Sequence, residues 1–308
     1  MTGIDDVTLN FSPASLTLLN AILAVVMFSI AIDLHPRDFD RLRRAPKPLI
    51  VGLCSQFVVL PVMTFALVWL TQPRPSIALG LILVAACPGG NISNFITHRA
   101  GGNAALSVSM TAFATISAIV MTPINIALWG GLYPPTREIL QKTAIDPVQI
   151  AITVGLMLIL PLILGVQLHM RKPELTRRLR QPLQYLSMGI FVAFIVLALA
   201  ANWGFFLNFA GAVAGLVILH NALALGGGWV VATLTRLSPF NRRAVTIETG
   251  IQNSGLGLVL IFAFFGGLGG MAVVAAFWGI WHAISGIGLA MLMSRTEAAH
   301  DAPKGAMT

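Results

Sequence analysis

Nine long apolar runs separated by short polar connections divide the chain: 13–33, 46–71, 75–99, 103–132, 144–170, 182–203, 207–236, 241–268 and 270–294. About 20 apolar residues in helical conformation bridge the hydrocarbon core of a bilayer. Each run therefore predicts a membrane-spanning helix, and the longest are expected to tilt or kink. No connection has room for a soluble domain. The polar segment 296–308 is expected to be a disordered tail. The expected fold class is an all-α polytopic membrane protein with nine transmembrane helices.

Composition agrees with that pattern. Of the 308 residues, 56% are hydrophobic and 10% charged, against about 25% charged in a soluble domain. An ordinary water-soluble enzyme is excluded. The net charge of +8 does not indicate nucleic acid, because the basic residues sit in short loops, where they set topology. With the N-terminus outside, sixteen of the 19 Lys and Arg residues face inward, and only Arg74, Arg137 and Lys142 face outward. That bias predicts an outside N-terminus and a cytoplasmic C-terminus. Cys54 and Cys87 both lie in apolar runs, so a structural disulfide is not expected. The first residues carry no basic region of the kind that opens a cleaved signal peptide.

Polar chemistry inside the apolar runs is concentrated in two places. The third span is interrupted by Cys87-Pro88-Gly89-Gly90-Asn91-Ile92-Ser93-Asn94, and the eighth by Glu248-Thr249-Gly250-Ile251-Gln252-Asn253-Ser254-Gly255. Of eleven carboxylate side chains, only Glu248 falls deep within an apolar run. A lone carboxylate in hydrocarbon pairs, binds a cation or takes a proton. The spans divide as four, one and four, so two four-helix units on either side of a single span are inverted repeats. Matching breaks in inverted halves point to a midplane binding site. Taken alone, Pro88-Gly89-Gly90 also fits a loop or a kink without function.

Other features have plainer readings. His220 and His282 lie mid-span and fit either a proton relay or neutral imidazoles bonded to a neighbouring helix. Cys87 fits a soft-ligand site or simple packing. Gly226-Gly227-Gly228 suits close helix packing rather than phosphate. The runs Arg41-Leu42-Arg43-Arg44 and Arg177-Arg178-Leu179-Arg180 are topology signals, with a lipid-headgroup role as the alternative.

These residues are similar to those of the bile acid:sodium symporter family, including its bacterial members. The resemblance runs from the end of the first span to the ninth. It rests on Leu34-His35-Pro36-Arg37-Asp38-Phe39, Gln56-Phe57 with Pro61, the two interrupted segments, Gly102-Asn103-Ala104-Ala105-Leu106-Ser107-Val108 with Thr111, and Trp281-His282-Ala283-Ile284-Ser285-Gly286. It implies two discontinuous crossing helices, the third and eighth spans. It also implies a panel domain (about 13–71 and 144–203), a core domain (about 75–132 and 207–294) and two sodium ions. Carried over by position, Ser93, Asn94, Ser107, Thr111 and Glu248 would hold the first ion. Gln56, Glu248, Gln252 and the carbonyls of Thr249 and Ile251 would hold the second. Asn91, Asn253 and His282 would face the substrate.

The implied function is sodium symport of organic anions such as bile acids, pantoate-like or keto acids, by alternating access in a bacterial inner membrane. No nucleic acid, obligate protein partner or enzymatic activity is expected. Two departures stand out. Some bacterial relatives carry an extra N-terminal helix. The family often has Trp-His-Asn where this chain has Trp281-His282-Ala283, which removes an amide beside the expected substrate cavity. The alternatives are a proton-coupled or uncoupled organic-anion transporter, a metalloid exporter using Cys87, and an intramembrane enzyme. The enzyme reading lacks paired carboxylates, a metal motif or a nucleophile–base pair.

Overall fold

The computed structural model describes residues 46–301 apart from Asn91, Ala144, Ile145 and Asn202, with isolated positions between Ile4 and Ile32. More than half of the predicted span 13–33 lies outside the described residues, as does all of 302–308. Among the described residues the structure is all-helical. The helices are α1 (Pro46–Thr71), α2 (Pro75–Ala86), α3 (Ile92–Arg99), α4 (Ala104–Leu132), α5 (Pro134–Thr143) and α6 (Pro147–Arg171). They continue with α7 (Pro173–Ala201), α8 (Trp203–Leu234), α9 (Pro239–Gly250), α10 (Ser254–Phe264) and α11 (Gly269–Asp301). Five are long and apolar enough to cross a membrane: α1, α4, α6, and the Val213–Leu234 and Gly269–Ser294 stretches of α8 and α11. The apolar helices α2 and α10 are shorter.

Predicted boundaries move by up to nine residues, and one helix is new. The helix predicted from residue 182 begins at Pro173, because hydropathy marks only the part that suits lipid, while Pro173 and Glu174 favour a helix start nine residues earlier. The helix predicted from residue 144 begins at Pro147, where the Asp146 side chain accepts from the Val148 N–H at 2.8 Å. The expected disordered tail is partly helical, since α11 continues through Asp301. The connection between the fourth and fifth spans contains the polar helix α5, closed onto α4 by a 2.6 Å hydrogen bond from Thr136 to the Gly130 carbonyl.

Helix α4 shows how the bundle is built. Ile116, Val120, Ile124, Leu128 and Leu132 are exposed at four-residue spacing, so they form one outward apolar stripe. The opposite face buries Ser107, Thr111, Thr115, Thr122 and Asn125. Polar groups thus point inward, as a solvent of lipid requires. Helix α6 repeats the outward stripe with Val148, Ile152, Leu156, Leu160 and Leu164. By contrast, α2 is buried from Ser76 to Ala86 and α10 from Ser254 to Phe262. Helices apolar on all sides belong in the centre, and these two end and begin, respectively, at the polar breaks.

Close helix contact supports that centre. A Cβ at Gly80 would lie 2.9 Å from the Met271 Cα, and one at Gly228 3.0 Å from the Thr246 Cα. Gly228 therefore lets α8 lie directly against α9, the packing role expected of the glycine run. Helix α1 packs on α2, α4, α8 and α9.

Candidate functional site

The two helix breaks meet each other. Pro88 has no N–H and disfavours helical backbone at the residue before it. Cys87 is accordingly extended (φ −73, ψ 156). On the other side α9 stops at Gly250, and Ile251 is extended (φ −117, ψ 103). The two extended pieces run antiparallel, with Gly89 paired to Gln252. The Gly90 N–H donates to the Ile251 carbonyl and the Asn253 N–H to the Pro88 carbonyl, each at 2.8 Å. Backbone groups that would be stranded in an apolar interior thus satisfy one another. Beyond the break, the Asn253 side chain caps α10 by accepting from the Leu256 N–H at 3.0 Å.

Glu248 lies one turn before this crossing and is fully buried. Its Oε1 receives hydrogen bonds from Ser93 at 2.6 Å, Ser107 at 2.5 Å and Thr111 at 3.1 Å. Ser107 and Thr111 also approach Asn94 Oδ1, at 2.8 and 3.3 Å. All five residues expected at the first cation position are therefore gathered from α3, α4 and α9. The second Glu248 oxygen, Oε2, is buried and has no hydrogen-bond partner.

The second set lies along the same turn of backbone, on the carbonyls of Glu248 and Thr249. Gln56 of α1 donates through Nε2 to the Glu248 carbonyl at 3.4 Å. Gln252 donates through Nε2 to the Thr249 carbonyl at 3.0 Å. The Oε1 atoms of Gln56 and Gln252 are both buried without a partner. The backbone leaves this space open: a Cβ at Gly89 would lie 2.7 Å from Glu248 Oε2 and 2.8 Å from Gln56 Nε2.

The expected substrate residues are less clearly gathered. Asn91 lies outside the described residues. The Asn253 carboxamide oxygen is engaged in capping α10, and His282 is 5% exposed on α11. A cleft of about 250 Å³ between α4, α5 and α6, lined by residues such as Pro123, Arg137 and Pro147, contains none of the predicted site residues. The other histidine, His220, pairs with Thr64 at 2.6 Å and packs on the Trp278 ring at 4.6 Å between centroids, the helix-to-helix bond named among its two readings. The Cys87 thiol is buried, with its Sγ 3.8 Å from the Cβ position of Gly257.

Sequence reasoning missed several contributors. Gly89 gives the two side chains room. Ser55 is the fully buried partner of the Thr249 hydroxyl at 2.9 Å. Asn221 donates to the Gly250 carbonyl at 2.8 Å, taking one of the free carbonyls at the end of α9. Asn221 and Asn125 are amides in apolar runs, and that isolation was the available signal.

A broken helix presents a carboxylate, hydroxyls and amide oxygens inside an apolar bundle, the oxygen chemistry that a hard cation takes, in a protein with helices long and apolar enough to cross a membrane. The chain belongs to the sodium bile acid symporter family, whose model matches residues 20–209. It is 32% identical over 273 residues to the "Uncharacterized sodium-dependent transporter YocS" of Bacillus subtilis (strain 168), covering 89% of this chain and 82% of that one. It is 33% identical over 242 residues to the "Probable sodium/metabolite cotransporter BASS2, chloroplastic" of Oryza sativa subsp. japonica, covering 77% of this chain and 55% of that one. It is 29% identical over 250 residues to the mouse (Mus musculus) "Sodium-dependent organic anion transporter", covering 80% of this chain and 64% of that one. This is an integral membrane protein of a sodium-dependent transporter family.

Proposed function

We propose that this protein is a sodium-coupled symporter of organic anions that binds two sodium ions at the crossing of α2–α3 with α9–α10. One observation carries this reading: the donor balance around Glu248. Ser93, Ser107 and Thr111 have one hydroxyl hydrogen each, yet they make five hydrogen-bond-range contacts to Glu248 Oε1 and Asn94 Oδ1. Oxygen thus outnumbers hydrogen in this cluster, with the Asn94 amide oxygen facing inward. A hard monovalent cation, which takes carboxylate, hydroxyl and amide oxygens, balances such a set. The buried, unpartnered oxygens of Glu248, Gln56 and Gln252 supply the beginnings of a second position, beside the carbonyls of Thr249 and Ile251. Among the described residues no group of three His, Cys, Asp or Glu side chains could hold a transition metal.

Two cations on one carboxylate leave the crossing net positive, which favours an anionic substrate once sodium is bound. Helices α3 and α10 begin at the crossing, and helix N-termini add partial positive charge there. We place the substrate against Asn91, Asn253 and His282. Bile acids, pantoate-like acids and keto acids are the classes to test. Nine spans in inverted repeats, an outside N-terminus and a cytoplasmic C-terminus in a bacterial inner membrane complete the reading. The packing of α1 on α2, α4, α8 and α9, and its contribution of Gln56, group it with the ion-holding core. This departs from the panel assignment expected from the resemblance, which put 46–71 with 144–203. Rocking of the core against the α6–α7 side then exposes the site to each face in turn.

The test is uptake into proteoliposomes driven by a sodium gradient, compared with a proton gradient alone. Sodium-driven uptake that Glu248→Ala abolishes, with helicity and monodispersity retained, is the expected result. Unchanged uptake by that variant overturns the two-ion reading, and uptake driven equally by protons alone favours the proton-coupled alternative.

A further inference from the structure

Gln56 does not sit on a regular α-helix. Within α1 the backbone from Ser55 to Val59 forms a π-helical turn, with the Leu60 N–H donating to the Ser55 carbonyl five residues back. The cause is visible in the sequence. Pro61 has no N–H, and its ring crowds the carbonyl four residues earlier, that of Phe57. Widening the turn relieves the clash but leaves the Phe57 carbonyl without its ordinary helical donor. Phe57 is buried, so an unpaired carbonyl there is costly.

Asn125 of α4 supplies the missing donor. Its Nδ2 reaches the Phe57 carbonyl at 3.2 Å and the Met121 carbonyl of its own helix at 2.9 Å. The orientation of the amide is fixed independently, because the Trp129 indole N–H, a pure donor, donates to Asn125 Oδ1 at 2.9 Å. Asn125 is 5% exposed. At the start of the same turn the Ser55 and Thr249 hydroxyls hydrogen-bond to each other at 2.9 Å. The turn is thus held at Ser55 by the broken helix and at Phe57 by α4, and Gln56 lies between these two contacts.

We infer that Asn125 is a positioning residue for sodium binding: by taking the carbonyl that Pro61 strips, it holds the π turn that directs Gln56 at Glu248. Pro61, Asn125 and Trp129 then form one device, none of them touching the ion. The inference rests on the reading that Gln56 ligates sodium. It implies that α1 and α4 keep a fixed register when sodium binds, since a slip between them breaks the Asn125 bond and turns Gln56 away. π turns inside α-helices recur at functional sites, and here the sequence feature that creates the turn and the residue that stabilises it are both identified.

The test uses the purified full chain in detergent and reads the rise in melting temperature with sodium chloride, with potassium chloride as control. Five proteins are compared: wild type, Gln56→Leu, Asn125→Ala, Pro61→Ala, and the Asn125→Ala/Pro61→Ala pair. Asn125→Ala is expected to need about tenfold more sodium for half the stabilisation, the size of one misplaced buried polar contact. Pro61→Ala restores an N–H to Phe57 and permits a regular turn. It is expected to weaken sodium binding by itself, while keeping or raising the melting temperature without sodium, and not to rescue Asn125→Ala. If Asn125→Ala does not fold, Pro61→Ala alone decides. Wild-type sodium dependence in Pro61→Ala, or rescue of Asn125→Ala by it, overturns the inference, since Asn125 would then only satisfy a carbonyl. Loss of the sodium response in Gln56→Leu beside such a result leaves the sodium reading intact. Absence of any sodium-specific shift in wild type overturns that reading and this inference together.

Discussion

Gly89 sits directly against the carboxylate of Glu248. A Cβ at position 89 would lie 2.7 Å from Glu248 Oε2 and 2.8 Å from Gln56 Nε2, closer than real Cβ atoms approach. The glycine at one helix break thus packs against the carboxylate beside the other. A Gly89→Ala protein is expected to lose sodium-dependent stabilisation and sodium-driven uptake, because the added methyl displaces Glu248 or Gln56. The backbone at 89 is paired on both sides of the crossing, so the methyl has little room to move away. Retention of both properties in a melting and uptake assay would show that Oε2 is not a ligand.

The three hydroxyls on Glu248 Oε1 differ in geometry. Ser107 is the closest, at 2.5 Å, and also reaches Asn94 at 2.8 Å; Thr111 makes longer contacts to the same two atoms, at 3.1 and 3.3 Å. Ser107→Ala is expected to raise the half-saturating sodium concentration roughly tenfold to hundredfold, from the about 1.5–3 kcal/mol of a hydrogen bond to a charged group. Thr111→Val is expected to have the smaller effect. Sodium titration of uptake at fixed substrate checks the order.

Binding of ions to the native state alone stabilises it by mass action. A sodium concentration one hundred times the dissociation constant adds about 2.7 kcal/mol per site. The wild-type melting temperature is therefore expected to rise with sodium chloride and to stay flat with potassium chloride at equal ionic strength. A candidate organic anion is expected to add a further shift only when sodium is present. A shift with anion alone would uncouple the two.

Cys87 separates symport from thiol-dependent export. Its side chain is buried at the end of α2, with Sγ near Gly257, and makes packing contact rather than presenting a ligand. Cys87→Ser is expected to keep at least half of sodium-driven uptake, with a modest loss of stability from burying a hydroxyl. Loss of flux restored by no organic anion, with metalloid export in the parent, would support the exporter instead.

A packing prediction tests the bundle itself. Gly228 lies within 3.0 Å of the Thr246 Cα and the Thr249 Cβ when a Cβ is placed on it. Gly228→Val is expected to destabilise the protein by about 1–3 kcal/mol and to lower the melting temperature with and without sodium alike. A normal melting temperature would mean that α8 and α9 have room to separate.

The sequence alone marked the long apolar segments, five of which are, among the described residues, helices long and apolar enough to cross a membrane, and the places where helices break. Long apolar runs dictate helices because no other local structure satisfies backbone groups in lipid. Pro88 and the glycines at 89, 90 and 250 mark the breaks because they remove donors or weaken helical preference. Glu248 was legible as a candidate site for the same reason: nothing local can offset a carboxylate in hydrocarbon. The family resemblance added the identity of the oxygens, and the bundle brings Ser93, Asn94, Ser107 and Thr111 to that carboxylate. What only the tertiary structure decided is how the breaks compensate each other. The bonds from Gly90 to Ile251 and from Asn253 to Pro88 join residues more than 150 positions apart, and no periodicity encodes such a pairing. The Asn125 bond to Phe57, the Asn221 bond to Gly250 and the room left by Gly89 are of the same kind. The two amide bonds each satisfy a carbonyl stranded by a local irregularity, and in a medium without water the partner must come from another helix.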